Sequence, residues 1–246
     1  MNYAVKIIFV ASLLFFTEGA VAQARFKAMA FAGVNLSQIN GDKQEGYRQK
    51  GVSLGLNGSI FLRHDFDIST ELLYNTRGAR PDRNYLGQPN INYSTFKLHY
   101  SEVALLLNYH YHLSGSRNYY TQCLTAGVSY GRLLKSQTSI IRDNVPFTAL
   151  ENEVSSKLNP NDVSVIVGWS QYFTPKLGFA LRHTGTVNFL YKNPEYIPNA
   201  TDKGFEFLRP YYLSLHLFYN FVSPAKVMEL KKKKKGTKHD PLEELY

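Results

Sequence analysis

The 246 residues include one cysteine and one tryptophan. A lone Cys123 cannot close an intramolecular disulfide, so the fold must be held by backbone pairing and packing. Metal motifs are missing too: no His-Glu-x-x-His or Cys-x-x-Cys occurs. His110 and His112 alternate along one segment without a matching cluster of carboxylates or thiols in sequence, so neither a metal nor another cofactor is implied. Beyond the N-terminus, no apolar run approaches the roughly 20 residues that a helix needs to cross a bilayer. Acidic residues are also scarce, 19 against 28 Lys and Arg, for a formal charge of +9. Much of that excess lies in Lys231, Lys232, Lys233, Lys234 and Lys235.

What is present begins with an export signal. Lys6 precedes an apolar run from Ile7 to Phe16, followed by Gly19-Ala20-Val21-Ala22 and Gln23. The run is too short to span a membrane, and Ala20-x-Ala22 suits signal peptidase, so residues 1–22 are predicted to be cleaved. Export makes nucleic acid an unsuitable partner despite the positive charge. The hydrophobic fraction is an ordinary 44% and the mean hydropathy is −0.28. Aromatics stand out instead, with 18 Tyr and 16 Phe spread along the whole chain. Membrane barrels use such residues at both interfaces.

Period-2 alternation, the mark of strands with two unlike faces, recurs throughout. Tyr211, Leu213, Leu215, Leu217, Tyr219 and Phe221 share one face, against Ser214, His216, Phe218 and Asn220. Phe66, Ile68, Thr70, Leu72 and Tyr74 oppose Asp67, Ser69, Glu71, Asn75 and Arg77. Val103, Leu105, Leu107, Tyr109 and Tyr111 oppose Glu102, Ala104, Asn108 and His110. Similar segments start near Val52, Leu124, Val163 and Leu177, the last reaching Phe189, and a first strand covers about 26–37. The connections alternate in length: short at 63–65, 114–118 and 174–176, long near 38–50, 79–95, 135–161 and 192–208. The expected fold is all-β, an eight-stranded antiparallel transmembrane β-barrel over residues 23–221 with short periplasmic turns and long extracellular loops. Residues 222–246 form a basic periplasmic tail with too few apolar groups to pack.

Several segments resemble the PorT-like outer-membrane barrel family of Bacteroidetes: Ala32 to Asp42, Gly51 to Leu56, Thr70-Glu71-Leu72-Leu73-Tyr74 and Tyr100 to Leu107. That family usually carries proline where Ala104 stands. The resemblance implies an outer-membrane location and, through one family member, a link to type IX secretion.

Asp67, Glu71, Arg77, Glu102, Arg182 and His216 face the lumen by parity. Charges in so narrow an interior must be paired. Glu71, Arg182 and His216 are expected at one depth, Arg77 and Glu102 at another. His99 and Ser101 resemble the His-x-Ser pair of outer-membrane lipid A deacylases, but Glu102 points to the other face and leaves the pair without an orienting carboxylate. The expected protein is therefore a non-enzymatic scaffold or accessory subunit of an envelope complex. Its partners are outer-membrane lipid and envelope or secretion proteins, met through the tail or the long loops. A passive channel and a lipid A-modifying enzyme are the alternatives.

Overall fold

A computed structural model of the chain describes residues 26–42, 44, 46–63, 65–82, 92–114, 119–142, 145–194 and 204–221. The predicted signal peptide and the lysine tail lie outside the described residues. The strands are β1 (Phe26–Asn40), β2 (Gln49–Arg63), β3 (Phe66–Ala79), β4 (Tyr93–Leu113), β5 (Tyr120–Arg142), β6 (Val145–Pro146), β7 (Asn161–Tyr172), β8 (Leu177–Thr186), β9 (Tyr191–Lys192) and β10 (Phe207–Asn220), with one helix, α1 (Thr148–Ser156). The two-residue strands β6 and β9 only pair alongside the extracellular ends of β5 and β10. The other eight pair in sequence order, all antiparallel, and β1 pairs β10 from Met29↔Asn220 to Asn40↔Arg209. That pairing closes a ring, so no strand edge is left unpaired in hydrocarbon. The short connections β2–β3, β4–β5 and β7–β8 share the periplasmic end.

Over the membrane the faces are sorted as lipid demands. Val103, Leu105, Leu107, Val128, Val165, Leu181, Leu215 and Leu217 point outward and are about half exposed, while Glu71, Glu102, His110 and Arg182 are buried inside. An aromatic girdle marks the periplasmic boundary. Tyr109 stacks on Tyr111, Trp169 and Phe173 pack on Phe179, and Tyr219 packs on Phe221. The Trp169 indole N–H donates to the Tyr111 hydroxyl at 3.1 Å.

Two expected boundaries are corrected. The segment 135–161 is not simply a loop: β5 runs on to Arg142 and α1 follows. The strand starting at Leu177 stops at Thr186, short of Phe189. In the first place the barrel wall continues above the membrane, where the apolar face turns inward; in the second the Asn188 side chain accepts from the Val163 N–H and donates to the Asn161 carbonyl in place of a backbone ladder. Inside β4, Phe96, Leu98 and Tyr100 are wholly buried, whereas Lys97 and Ser101 face out. A β-bulge at Leu134 makes the matching change on β5, where Tyr100 pairs Leu133 and His99 pairs Lys135. The extra residue lets Leu134 and Lys135 both face outward. The helix α1 then closes the mouth with Leu150 and Val154, one turn apart on a single face. They join Ile39, Ala79, Phe96, Leu98, Tyr100, Ile140, Leu190, Tyr191, Phe205 and Leu208 in one apolar cap.

Candidate functional site: the lumen network

Between this cap and the periplasmic girdle the lumen holds charged side chains in three tiers, packed among two apolar clusters, one around Met29, Phe31 and Phe218 and one of Ala104, Leu106 and Ile166. In the middle tier, Arg182 on β8 donates from both terminal nitrogens to the Glu71 carboxylate on β3, at 2.6 and 2.8 Å. Asn57 donates to the same carboxylate at 2.9 Å. The guanidinium also lies over the Phe31 ring, 5.5 Å from its centre. Gly168 makes room for this arm, since a Cβ there would stand 2.8 Å from Arg182 Cγ. His216 sits beside the pair without joining it: its Nε2 meets the Ser53 hydroxyl at 2.6 Å, and its ring tilts over Phe31.

The extracellular tier centres on Arg77 of β3, which lies 2.9 Å from Asp162 and 3.5 Å from Glu102. Its guanidinium stacks 3.9 Å above the centre of the Tyr100 ring. Asn75 donates to Glu102 at 3.1 Å, and Ser164 and Thr186 donate to the two oxygens of Asp162 at 2.7 and 2.9 Å. Asn35 bonds Asn75 and ties β1 into the same layer.

The periplasmic tier holds Asp67, apart from the other five expected residues. Its carboxylate meets His110 Nε2 at 2.6 Å, accepts from Asn108 at 2.7 Å and lies 3.9 Å from Lys27. His110 thus has a single carboxylate neighbour, which the sequence did not indicate. Asp67 is remote in sequence but stands on the neighbouring strand, where Asp67 pairs Asn108. Among the described residues, no group of three or more His, Cys, Asp or Glu side chains could hold a metal.

Three members of the network were missed from sequence: Lys27, His110 and Asp162. Strand parity already turned His110 inward, and Asp162 precedes the alternating Val163–Val165–Val167. Lys27 carried no such signal, because the inward face of β1 continues as Met29 and Phe31, which look like a lipid face.

Among the described residues the side chains of this network are closely buried. A cavity of about 20 Å³ between Lys27, Asn57, Ser170 and Arg182 has room for roughly one water. On the outer face, His99 Nδ1 and the Tyr74 hydroxyl are 2.5 Å apart, and no hydrogen bond joins His99 to Ser101 among the described residues.

A closed eight-stranded antiparallel barrel, apolar outside over one membrane thickness and filled with paired charges inside, defines an integral outer-membrane protein. The chain belongs to the outer membrane protein beta-barrel domain family, whose sequence profile matches residues 14–185. It resides in the outer membrane. Comparison with curated proteins finds no match. Among solved structures, Ail, the attachment invasion locus protein of Yersinia pestis, is 10% identical over 80% of this chain and 99% of its own, with a TM-score of 0.40. Neisserial surface protein A is 11% identical over 79% and 96%, with a TM-score of 0.38. OprG from Pseudomonas aeruginosa is 10% identical over 81% and 97%, with a TM-score of 0.37. The strand register, rather than these likenesses, carries the fold.

Proposed function

We propose that this is a non-enzymatic scaffold or accessory subunit of an outer-membrane complex, of the PorT-like kind and serving type IX secretion or a related envelope assembly. The observation that carries the reading is the doubly blocked lumen. Three tiers of paired charges and two apolar clusters occupy it, and the apolar cap around Phe96, Leu98, Val154 and Leu208 closes its extracellular mouth. A solute channel needs a continuous wet path, and wide aqueous pores need roughly 16 strands. An enzyme needs a nucleophile, a base and access for the substrate. Ser53 and His216 are in contact but buried, and His216 Nδ1 has no hydrogen-bond partner to orient the ring. The surfaces left for work are the extracellular cap, the lipid-facing wall and the lysine tail.

The test is gentle purification of the intact chain from native membranes, followed by identification of what travels with it. Co-purifying envelope or secretion proteins, with no conductance in planar bilayers and unchanged lipid A mass after expression, are the expected results. Steady conductance steps would replace this reading with a channel, and a changed lipid A mass would replace it with an enzyme.

A further inference from the structure

Basic side chains collect on the outer wall where the apolar belt gives way to the extracellular extension. On β4 the outward residues climb from Val103 through Ser101 and His99 to Lys97. On β5 they climb from Tyr130 through Arg132 and Leu134 to Lys135. The register sets Ser101 opposite Arg132 and His99 opposite Lys135, with Lys97 one step further up opposite Gln137. Lys97 and Lys135 are thus diagonal neighbours, a spacing of about 7–8 Å between Cα atoms.

Like charges so placed repel. Among the described residues no carboxylate pairs with Lys97, Arg132 or Lys135, although paired charges fill the lumen on the other side of the same two strands. Two neighbours are instead held in fixed positions. Arg132 donates to Asn161 at 2.7 Å, and Tyr130 donates to the same oxygen at 2.9 Å. The Tyr74 hydroxyl holds His99 through Nδ1, at 2.5 Å. The bulge adds an outward Leu134 between Arg132 and Lys135, 60% exposed, so an apolar contact sits within the basic patch.

We propose that Lys97, His99, Arg132 and Lys135 form a docking face for the phosphate of an outer-leaflet lipid, with Leu134 and Val103 against its acyl chains. The height of the patch selects the lipid as the phosphate source: the cations stand at the boundary of the apolar belt, where a lipid phosphate lies, and the apolar contacts continue directly below them. A lysine close to an anionic membrane surface contributes favourably, and more so at low salt.

The experiment uses the full mature chain folded in detergent with purified lipopolysaccharide, compared with the same lipid after phosphatase treatment. Bound lipid is counted by native mass spectrometry for the wild type, for Lys97→Gln combined with Lys135→Gln, and for Lys176→Gln at a periplasmic turn as a control. Heat-modifiable migration on gels checks that each variant is folded. The wild type and the control are expected to retain phosphorylated lipid, and the double variant about tenfold less. Dephosphorylated lipid should bind the wild type as weakly as the phosphorylated lipid binds the double variant. Equal retention by all three proteins, or indifference to the lipid's phosphate, would overturn the proposal. Displacement by millimolar inorganic phosphate would also overturn it, by making the patch a site for soluble anions.

Discussion

The strands β4 and β5 pass through two solvents and are built oppositely in each. Below Ser101 the outward face of β4 is Val103, Leu105 and Leu107 and its inward face is Glu102, Ala104, Leu106, Asn108 and His110. Above it, Lys97 faces out and Phe96 and Leu98 face in. The antiparallel ladder runs through both parts, interrupted once by the bulge at Leu134; the medium outside has changed. In lipid the outer wall must be apolar, so charge pairs are confined to the interior, where they share the space with the apolar clusters around Phe31 and Leu106. In water burial of apolar surface stabilises by roughly 25 cal/mol per Å², so the interior becomes an ordinary core.

The comparison can be broken most severely from the membrane half. Arg182→Met alone leaves the Glu71 carboxylate buried without a counter-charge and is expected to cost about 3–5 kcal/mol. Glu71→Gln combined with Arg182→Met should recover much of that loss. Urea titration of the folded band on gels reads both, and equal midpoints for the single and double variants would refute the pairing.

In the cap, Leu150→Ala is expected to cost about 2–5 kcal/mol. The loss should stay local: protease cutting near α1 accelerates, while the barrel keeps its heat-modifiable migration. Loss of both together would show that cap and barrel are one cooperative unit.

The lipid face sharpens the contrast further. Leu105→Lys, midway between Ser101 and Tyr109 on the outward face, is expected to cost about 2–4 kcal/mol. Thr95→Lys on the same strand and face, above the membrane, should cost almost nothing. Similar unfolding midpoints for the two would place the membrane boundary elsewhere.

The last effect is a pH dependence confined to the cap. Asp42 lies in the extracellular turn after β1, its Oδ2 buried without a hydrogen-bond partner, and burial pushes its carboxyl from 3.8 up to about 7. The folded cap then holds a proton that the unfolded chain has already released. Its stability therefore falls as pH rises from about 4 to 7, by at most about 1.4 kcal/mol per pH unit, and is level on either side. Asp42→Asn should flatten the profile. Amide exchange at Ile39 and Phe96 from pH 4.5 to 8 measures it, and an unchanged slope in the variant would remove Asp42 as the cause.

The membrane half was legible because lipid enforces one rule on every strand, and the alternation of β3, β4 and β10 obeys it. The upper half hid behind the same period run in reverse. Phe96, Leu98 and Tyr100 continue the inward phase of Glu102 as apolar residues, and the bulge at Leu134 breaks the phase of β5. The helix α1 offers only Leu150 and Val154 as buried apolar residues, too little to separate it from loop. Within the lumen, parity assigned faces but not partners. It set Glu71 and Arg182 at one depth, where opposite charges are expected to pair, but it could not foresee that Asp67 meets His110 across a strand pair. Lys27 escaped because Met29 and Phe31 make the inner face of β1 resemble an outer one.

The seam between β1 and β10 has a kinetic meaning as well. It joins the first strand to the last, so none of its ladder can form until every strand between them is in place. Until then the sheet carries two open edges, and in hydrocarbon each unpaired backbone group on them costs several kcal/mol. A partly assembled barrel thus has no stable resting depth in the bilayer. Closure and insertion must proceed together, which makes the pairing of Met29 to Asn40 with β10 the committing step of biogenesis.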